Sequence, residues 1–182
     1  MKIYIISIFP EIFNSFLESS ILHKAQQKKL LKFFLINPRD FCTDKHKQVD
    51  DVIYWWWSWM LLKAQPMIDA LNDVIKTIKG SYRILYLAPS KEIFDQKKAF
   101  ELSEIDNLIF VCWRYEWIDF RFEKYCEDNF DKNFLKLSLW KFVLMWWEVA
   151  VMTTIEAVTR LIPWVIKEAS SYEIESYDVN KN

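Results

Sequence analysis

Glycine is almost missing from this chain: Gly80 is the single one among 182 residues. Average usage near 7% would give roughly a dozen. An α/β chain needs them at turns with positive φ and wherever backbones approach closely. Tryptophan is in surplus instead, with ten residues in short clusters. These are Tyr54-Trp55-Trp56-Trp57-Ser58-Trp59-Met60, Cys112-Trp113-Arg114-Tyr115-Glu116-Trp117-Ile118-Asp119, Leu139-Trp140, Trp146-Trp147-Glu148 and Pro163-Trp164. The absent glycines and the extra tryptophans read as the same positions.

Other scarcities exclude whole classes. Cysteine is limited to Cys42, Cys112 and Cys126, an odd number with no zinc spacing, so a reducing cytoplasm is the expected setting. Of the two histidines, His23 falls on a helix away from His46, so no metal site is expected. The longest uncharged apolar runs, Val52 to Leu62 and Phe142 to Trp147, fall short of the about 20 residues that span a bilayer. The start, Met1-Lys2-Ile3-Tyr4-Ile5-Ile6, reads as a strand rather than a signal peptide. Net charge is −1, which argues neither for nor against nucleic acid. With 52% hydrophobic and 27% charged residues, the chain reads as one globular domain with an ample core.

Periodicity gives an alternating order of strands and helices. Ile3 to Phe9 reads as a buried strand, and Pro10 opens a helix to about Lys29 with Phe13, Phe16, Leu17 and Leu22 at helical spacing. Leu31 to Ile36 is a second strand, stopped by Asn37-Pro38. Residues 39 to 60 have no clear period and read as a long loop, and loops of that length are usually functional or disordered. Then come a helix over Pro66 to Ile78, a strand over Arg83 to Leu87, a helix over Asp95 to Ile105 and a strand over Leu108 to Cys112. A helix over Asp119 to Cys126, an irregular stretch over Asn129 to Ser138, a strand over Phe142 to Met145 and a helix over Glu148 to Leu161 complete the pattern. Such alternation argues for a parallel sheet covered on both faces.

Five strings, in order, carry a resemblance. Ile8-Phe9-Pro10-Glu11-Ile12-Phe13, Pro38-Arg39-Asp40-Phe41, Asp44-Lys45-His46-Lys47, Val49-Asp50-Asp51 and Arg160-Leu161-Ile162-Pro163 resemble the bacterial tRNA (guanine-N1)-methyltransferases of the TrmD family, in the knotted SPOUT superfamily. The resemblance runs from residue 2 to about 177. Where that family has a Tyr-Gly-Gly-Gly-Pro-Gly-Met loop, this chain has Tyr54 to Met60; where it has Cys-Gly-Arg-Tyr-Glu-Gly-Ile-Asp, this chain has Cys112 to Asp119. All ten tryptophans stand at family glycine positions, as they would in a gene from a lineage that reads UGA as glycine. Ten indoles at sites built for glycine, at about 1–3 kcal/mol of overpacking each, would exceed the usual total stability of about 5–15 kcal/mol.

The resemblance implies an α/β fold of SPOUT type, a parallel sheet flanked by helices with a deep trefoil knot. It implies a homodimer that transfers a methyl group from S-adenosylmethionine to N1 of the guanine 3′ of the anticodon in tRNA, in the cytoplasm and away from membranes. The donor would be held by Leu87, Ala88 and Pro89, by Trp113, Tyr115, Glu116 and Trp117, and by Ser138, Leu139, Trp140, Phe142, Leu144, Trp146 and Trp147. By the same resemblance Arg160 stabilises the guanine O6 and Glu175 accepts the N1 proton, facing the other subunit's donor pocket. On residues alone, Arg160 is a cation at a helix C-terminus and Glu175 a solvated charge. Arg39, Lys45, His46, Asp50 and Tyr54 would meet tRNA. Alone, that loop reads as a solvated one.

Departures are specific. Phe120 and Phe122 stand where relatives have Glu and Val, Lys141 replaces an Asp, and Glu175 an Asp. Relatives also continue beyond the position of Asn182 with a helical domain. The expected division is a knotted methyltransferase domain over 1–165, with 166–182 a linker and the start of that domain. The alternative expectation is a catalytically impaired RNA-binding remnant of the same fold.

Overall fold

The computed structural model describes residues 1–52, 60–114 and 117–166. Its centre is a five-stranded parallel sheet in the order β2-β1-β6-β5-β8. The strands are β1 (Lys2–Ile6), β2 (Lys32–Ile36), β5 (Tyr82–Leu87), β6 (Asn107–Val111) and β8 (Phe134–Leu137). The central strands are nearly continuous runs of Ile, Leu, Val, Tyr and Phe, buried along almost their whole length. That is the composition of strands covered on both faces. The edge strands β2 and β8 are only half-buried. Register sets Ile5 beside Phe110 and Leu85 beside Phe110, so three buried side chains lie abreast mid-sheet.

Six helices accompany the sheet among the described residues: α1 (Asn14–Leu17), α2 (Ser20–Gln27), α3 (Ala64–Thr77), α4 (Gln96–Ser103), α5 (Phe120–Phe130) and α6 (Trp147–Thr159). α3 packs on α5 and β1, while α4 packs on α6, which packs on β5. Asp95 caps α4 by accepting the Lys98 amide at 2.7 Å. Asp119 caps α5 by accepting the Arg121 amide at 2.9 Å. A second, three-stranded sheet joins β3 (Asp50–Val52), β4 (Met60–Leu62) and β7 (Trp117–Ile118) in the order β3-β4-β7.

The architecture agrees with the expected parallel α/β sheet, with four local corrections. The helix expected from Pro10 to Lys29 is a 3₁₀ turn (Pro10–Phe13) followed by α1 and α2, interrupted where Ser19 is extended and Ser20 takes φ +46°. The loop expected over 39–60 holds a 3₁₀ turn (Pro38–Phe41) and the strands β3 and β4. Part of the stretch read as irregular, 129–138, is β8, paired along β5 from Ile84↔Phe134 to Leu87↔Leu137. Residues 142–145, read as a strand, belong to none: Val143 is 83% and Met145 86% exposed, an apolar run with no partner in the sheet.

Candidate functional site

Parallel sheets bind ligands beyond the carboxyl ends of their strands. Here the neighbours β5 and β6 end in Leu87-Ala88-Pro89 and Cys112-Trp113-Arg114. The Ala88 amide still donates to Leu137 O at 2.9 Å, and the Cys112 amide to Ile6 O at 2.9 Å, which extends the sheet's hydrogen bonding to its rim. The 138–146 segment, leading from β8 into α6, reaches the same rim. Ser138 is buried there, its amide donating to Glu92 O and its hydroxyl to Trp140 O at 2.8 Å.

Trp113 and Trp147 are buried and stacked, ring centroids 4.8 Å apart at 21°. Trp113 Nε1 donates to Leu87 O at 2.8 Å, across the gap between the ends of β5 and β6. Two clefts open on either side of Pro89. One, of about 320 Å³, is lined by Tyr86, Ala88, Pro89, Trp113, Asp119 and Lys136 among others. The other, of about 440 Å³, is lined by Pro89, Ser138, Trp140 and Phe142 among others. Both fall within the size range of small-molecule sites. In the first, Lys136 Nζ pairs with Glu123 at 2.6 Å beneath the Tyr86 ring, and burial, then the Glu123 charge, raises the Tyr86 phenol pKa.

Thus Leu87, Ala88, Pro89, Trp113, Ser138, Trp140, Phe142 and Trp147, far apart in sequence, come to one rim. Leu139 and Leu144 lie half-buried in the 138–146 segment. Trp146, 41% exposed, stands beside Arg114. Of Trp117 the main chain is described, paired with Leu61 in β7. Tyr115 and Glu116 lie outside the described residues, as do Tyr54 and Glu175.

Arg160 is not at this rim within one chain. It is the C-cap of α6, whose N-terminus holds Trp147. Thirteen residues at 1.5 Å each separate the two ends by about 20 Å. Arg39 points inward, Nη1 donating to Ile8 O at 2.5 Å and the guanidinium lying over the Phe9 ring. Lys45 and His46 are exposed on a turn that Asp44 organises by accepting the His46 and Gln48 amides. Those amide bonds, Gln48's first, hold the Asp44 carboxyl below its ordinary range. Asp50 is half-buried at the start of β3. Phe120 is 67% exposed and Phe122 wholly buried, so the latter departure is absorbed by the core.

Sequence reading missed Ser7, Arg114 and Glu148, which form a buried polar cluster behind the rim. A Glu in a Trp-Trp-Glu-Val-Ala run reads as an exposed first-turn acid, and Ser7 as one strand residue among several. Their pairing across 141 residues has no local signature.

The family described as tRNA (Guanine-1)-methyltransferase TrmD matches residues 1–182. A tRNA (guanine-N(1)-)-methyltransferase of Clostridium botulinum (strain Kyoto / Type A2) is 38% identical over 177 residues, 97% of this chain and 70% of that protein. That of Clostridium perfringens (strain SM101 / Type A) is 40% identical, covering 97% and 71%. That of Halalkalibacterium halodurans is 36% identical, covering 97% and 70%. This chain belongs to the TrmD family of tRNA (guanine-1)-methyltransferases.

Proposed function

We propose that this protein transfers a methyl group from S-adenosylmethionine to N1 of the guanine 3′ of the anticodon in tRNA. The observation that carries the reading is the meeting of three segments, after β5, after β6 and before α6, at one sheet rim in a chain of this family.

The main-chain frame suits a sulfonium nucleoside: the Leu87 carbonyl at the end of β5, apolar walls and clefts of fitting size. The side chains at 113 and 147 do not, because the indole of Trp113 takes the Leu87 carbonyl and stacks on Trp147. Glycine at both positions would free that space and that acceptor. We therefore infer that UGA is read as glycine at all ten tryptophan positions in the source organism. Trp164 supports this: it is 75% exposed and holds φ +71°, the left-handed region that favours glycine. Trp140, at 60% exposed, likewise adds little to the core.

The donor supplies an electrophilic methyl on a positive sulfur, and what leaves is a neutral thioether. The protein's part is alignment, charge and proton transfer. With glycine at the rim, its segments would hold the donor, and alignment of its methyl with guanine N1 would supply much of the rate. Arg160 donates hydrogen bonds to O6 as charge grows there, and Glu175 takes the N1 proton. With Arg160 about 20 Å from the same chain's rim, the reading pairs each donor site with Arg160 of a second copy, in a homodimer. A trefoil knot formed by the rim segments, a domain boundary near residue 165, tRNA contacts at Lys45 and His46, and work in the cytoplasm belong to the same reading.

Donor titration by calorimetry tests it on two forms, one with glycine at the ten positions and one with tryptophan. The glycine form is expected to bind S-adenosylmethionine and the tryptophan form to bind far more weakly. If neither binds, the RNA-binding remnant becomes the better account. Peptide mapping of the protein from its own organism tests the recoding: tryptophan found across Cys112–Asp119 would refute it.

A further inference from the structure

A buried charged cluster lies behind the rim, and the proposed chemistry does not use it. Glu148, in the first turn of α6, is wholly buried, where a carboxylate also meets the favourable end of the helix dipole. Ser7, just past β1, donates its hydroxyl to Glu148 Oε1 at 2.9 Å and accepts the Phe9 amide at 3.1 Å. Arg114 Nε stands 3.5 Å from the same Glu148 oxygen. Its guanidinium is layered between the Phe9 and Trp146 rings, 4.3 Å from each centroid. Glu148 Oε2 and Arg114 Nε are buried without a hydrogen-bond partner among the described residues.

For stability alone this is a poor arrangement. A buried ion pair is often matched or bettered by apolar residues of similar volume, and an unsatisfied buried oxygen is costly. What the cluster does achieve is geometric. It ties the exit of β1, the exit of β6 and the first turn of α6 at one point, with a planar guanidinium that a lysine could not replace. The Phe9 side of the stack does not depend on which residue occupies position 146.

We propose that Glu148 is a positioning residue: its carboxylate, anchored by Ser7 and by the start of α6, fixes Arg114 and so the Cys112–Arg114 exit of β6 at the donor rim. The effect on donor affinity rests on the methyltransferase reading; the effect on the β6 exit does not.

Three variants test it in the protein as its organism makes it: Glu148→Gln, Arg114→Lys and the double Arg114→Met/Glu148→Leu. Each is followed by amide hydrogen exchange at the end of β6, by thermal unfolding and by S-adenosylmethionine titration. Glu148→Gln keeps the shape and the Ser7 bond but removes the charge facing Arg114. Exchange at residues 112–114 should rise about tenfold in both single variants while the rest of the sheet stays protected. Donor affinity should fall about tenfold. The apolar double variant should regain the melting temperature but neither the protection nor the affinity. Recovery of all three by the double variant, or exchange rising evenly across the sheet, would overturn the proposal and leave the cluster a support of the fold. A parent protein that binds no donor sinks the methyltransferase reading, and the exchange measurement still decides this one.

Discussion

Trp164 shows how a single residue can carry information beyond its contacts. It sits past the end of α6 at φ +71° with three quarters of its surface in water. An L-residue in the left-handed region costs about 1–2 kcal/mol, and little burial offsets it here. Trp164→Gly should therefore raise stability by about 1 kcal/mol after the added unfolded-state entropy of glycine, read as a higher melting temperature. Asp119 gives a second prediction at this scale. The Arg121 side-chain hydrogen bonds, with the Arg121 amide, hold its carboxyl below the usual range. A depressed folded-state pKa gives stability that is present above the unfolded value, near 4, and lost as pH falls through the folded one. Asp119→Asn should lower stability at neutral pH and flatten the acid limb of a stability–pH curve below about pH 4, so that the two proteins converge in acid; an unaltered acid limb would refute the assignment. Most of the proposed site residues are legible only through motifs: Leu87, Trp113 and Ser138 carry no chemistry a reader could single out. Main-chain geometry is what brings them to one rim.

At the scale of elements, strands buried on both faces and helices with a clear apolar stripe were legible, as β1, β5, β6 and α3 illustrate. β8 was not, because the Phe134–Leu137 edge strand alternates weakly and its pairing with β5 is a tertiary fact. The 142–145 run misled for the opposite reason: it has strand composition without a strand partner. β3 and β4 flank a segment with no readable period, and their pairing, Asp50↔Leu62 to Val52↔Met60, joins distant ends of it. Gly80 marks a turn that needs its residue type. It holds φ +91°, and a Cβ there would stand 2.5 Å from Asp106 Oδ2, which is itself fixed by the Ser81 amide and hydroxyl. Gly80→Ala should cost about 1–2 kcal/mol in denaturant unfolding. A neutral result would mean that the turn between α3 and β5 rebuilds freely.

At the scale of the whole molecule, the proposed reaction needs two copies for each active site. α6 separates the proposed donor rim from Arg160 by its own length, so one copy does not bring the two together. Mixing two inactive variants tests this: Arg160→Ala, and a donor-site variant such as Pro89→Trp. Co-refolded mixtures should regain roughly a quarter of the parent's activity, from the one intact site in each mixed pair. Mixtures as inactive as their components would exclude a shared site. The reaction itself is tested by nucleoside mass spectrometry of tRNA after incubation with S-adenosylmethionine and the protein bearing glycine at the ten positions. 1-Methylguanosine is expected 3′ of the anticodon, and none when that guanine is replaced. Donor binding with no methylated guanosine, or a methyl group on another base, would contradict the proposed reaction.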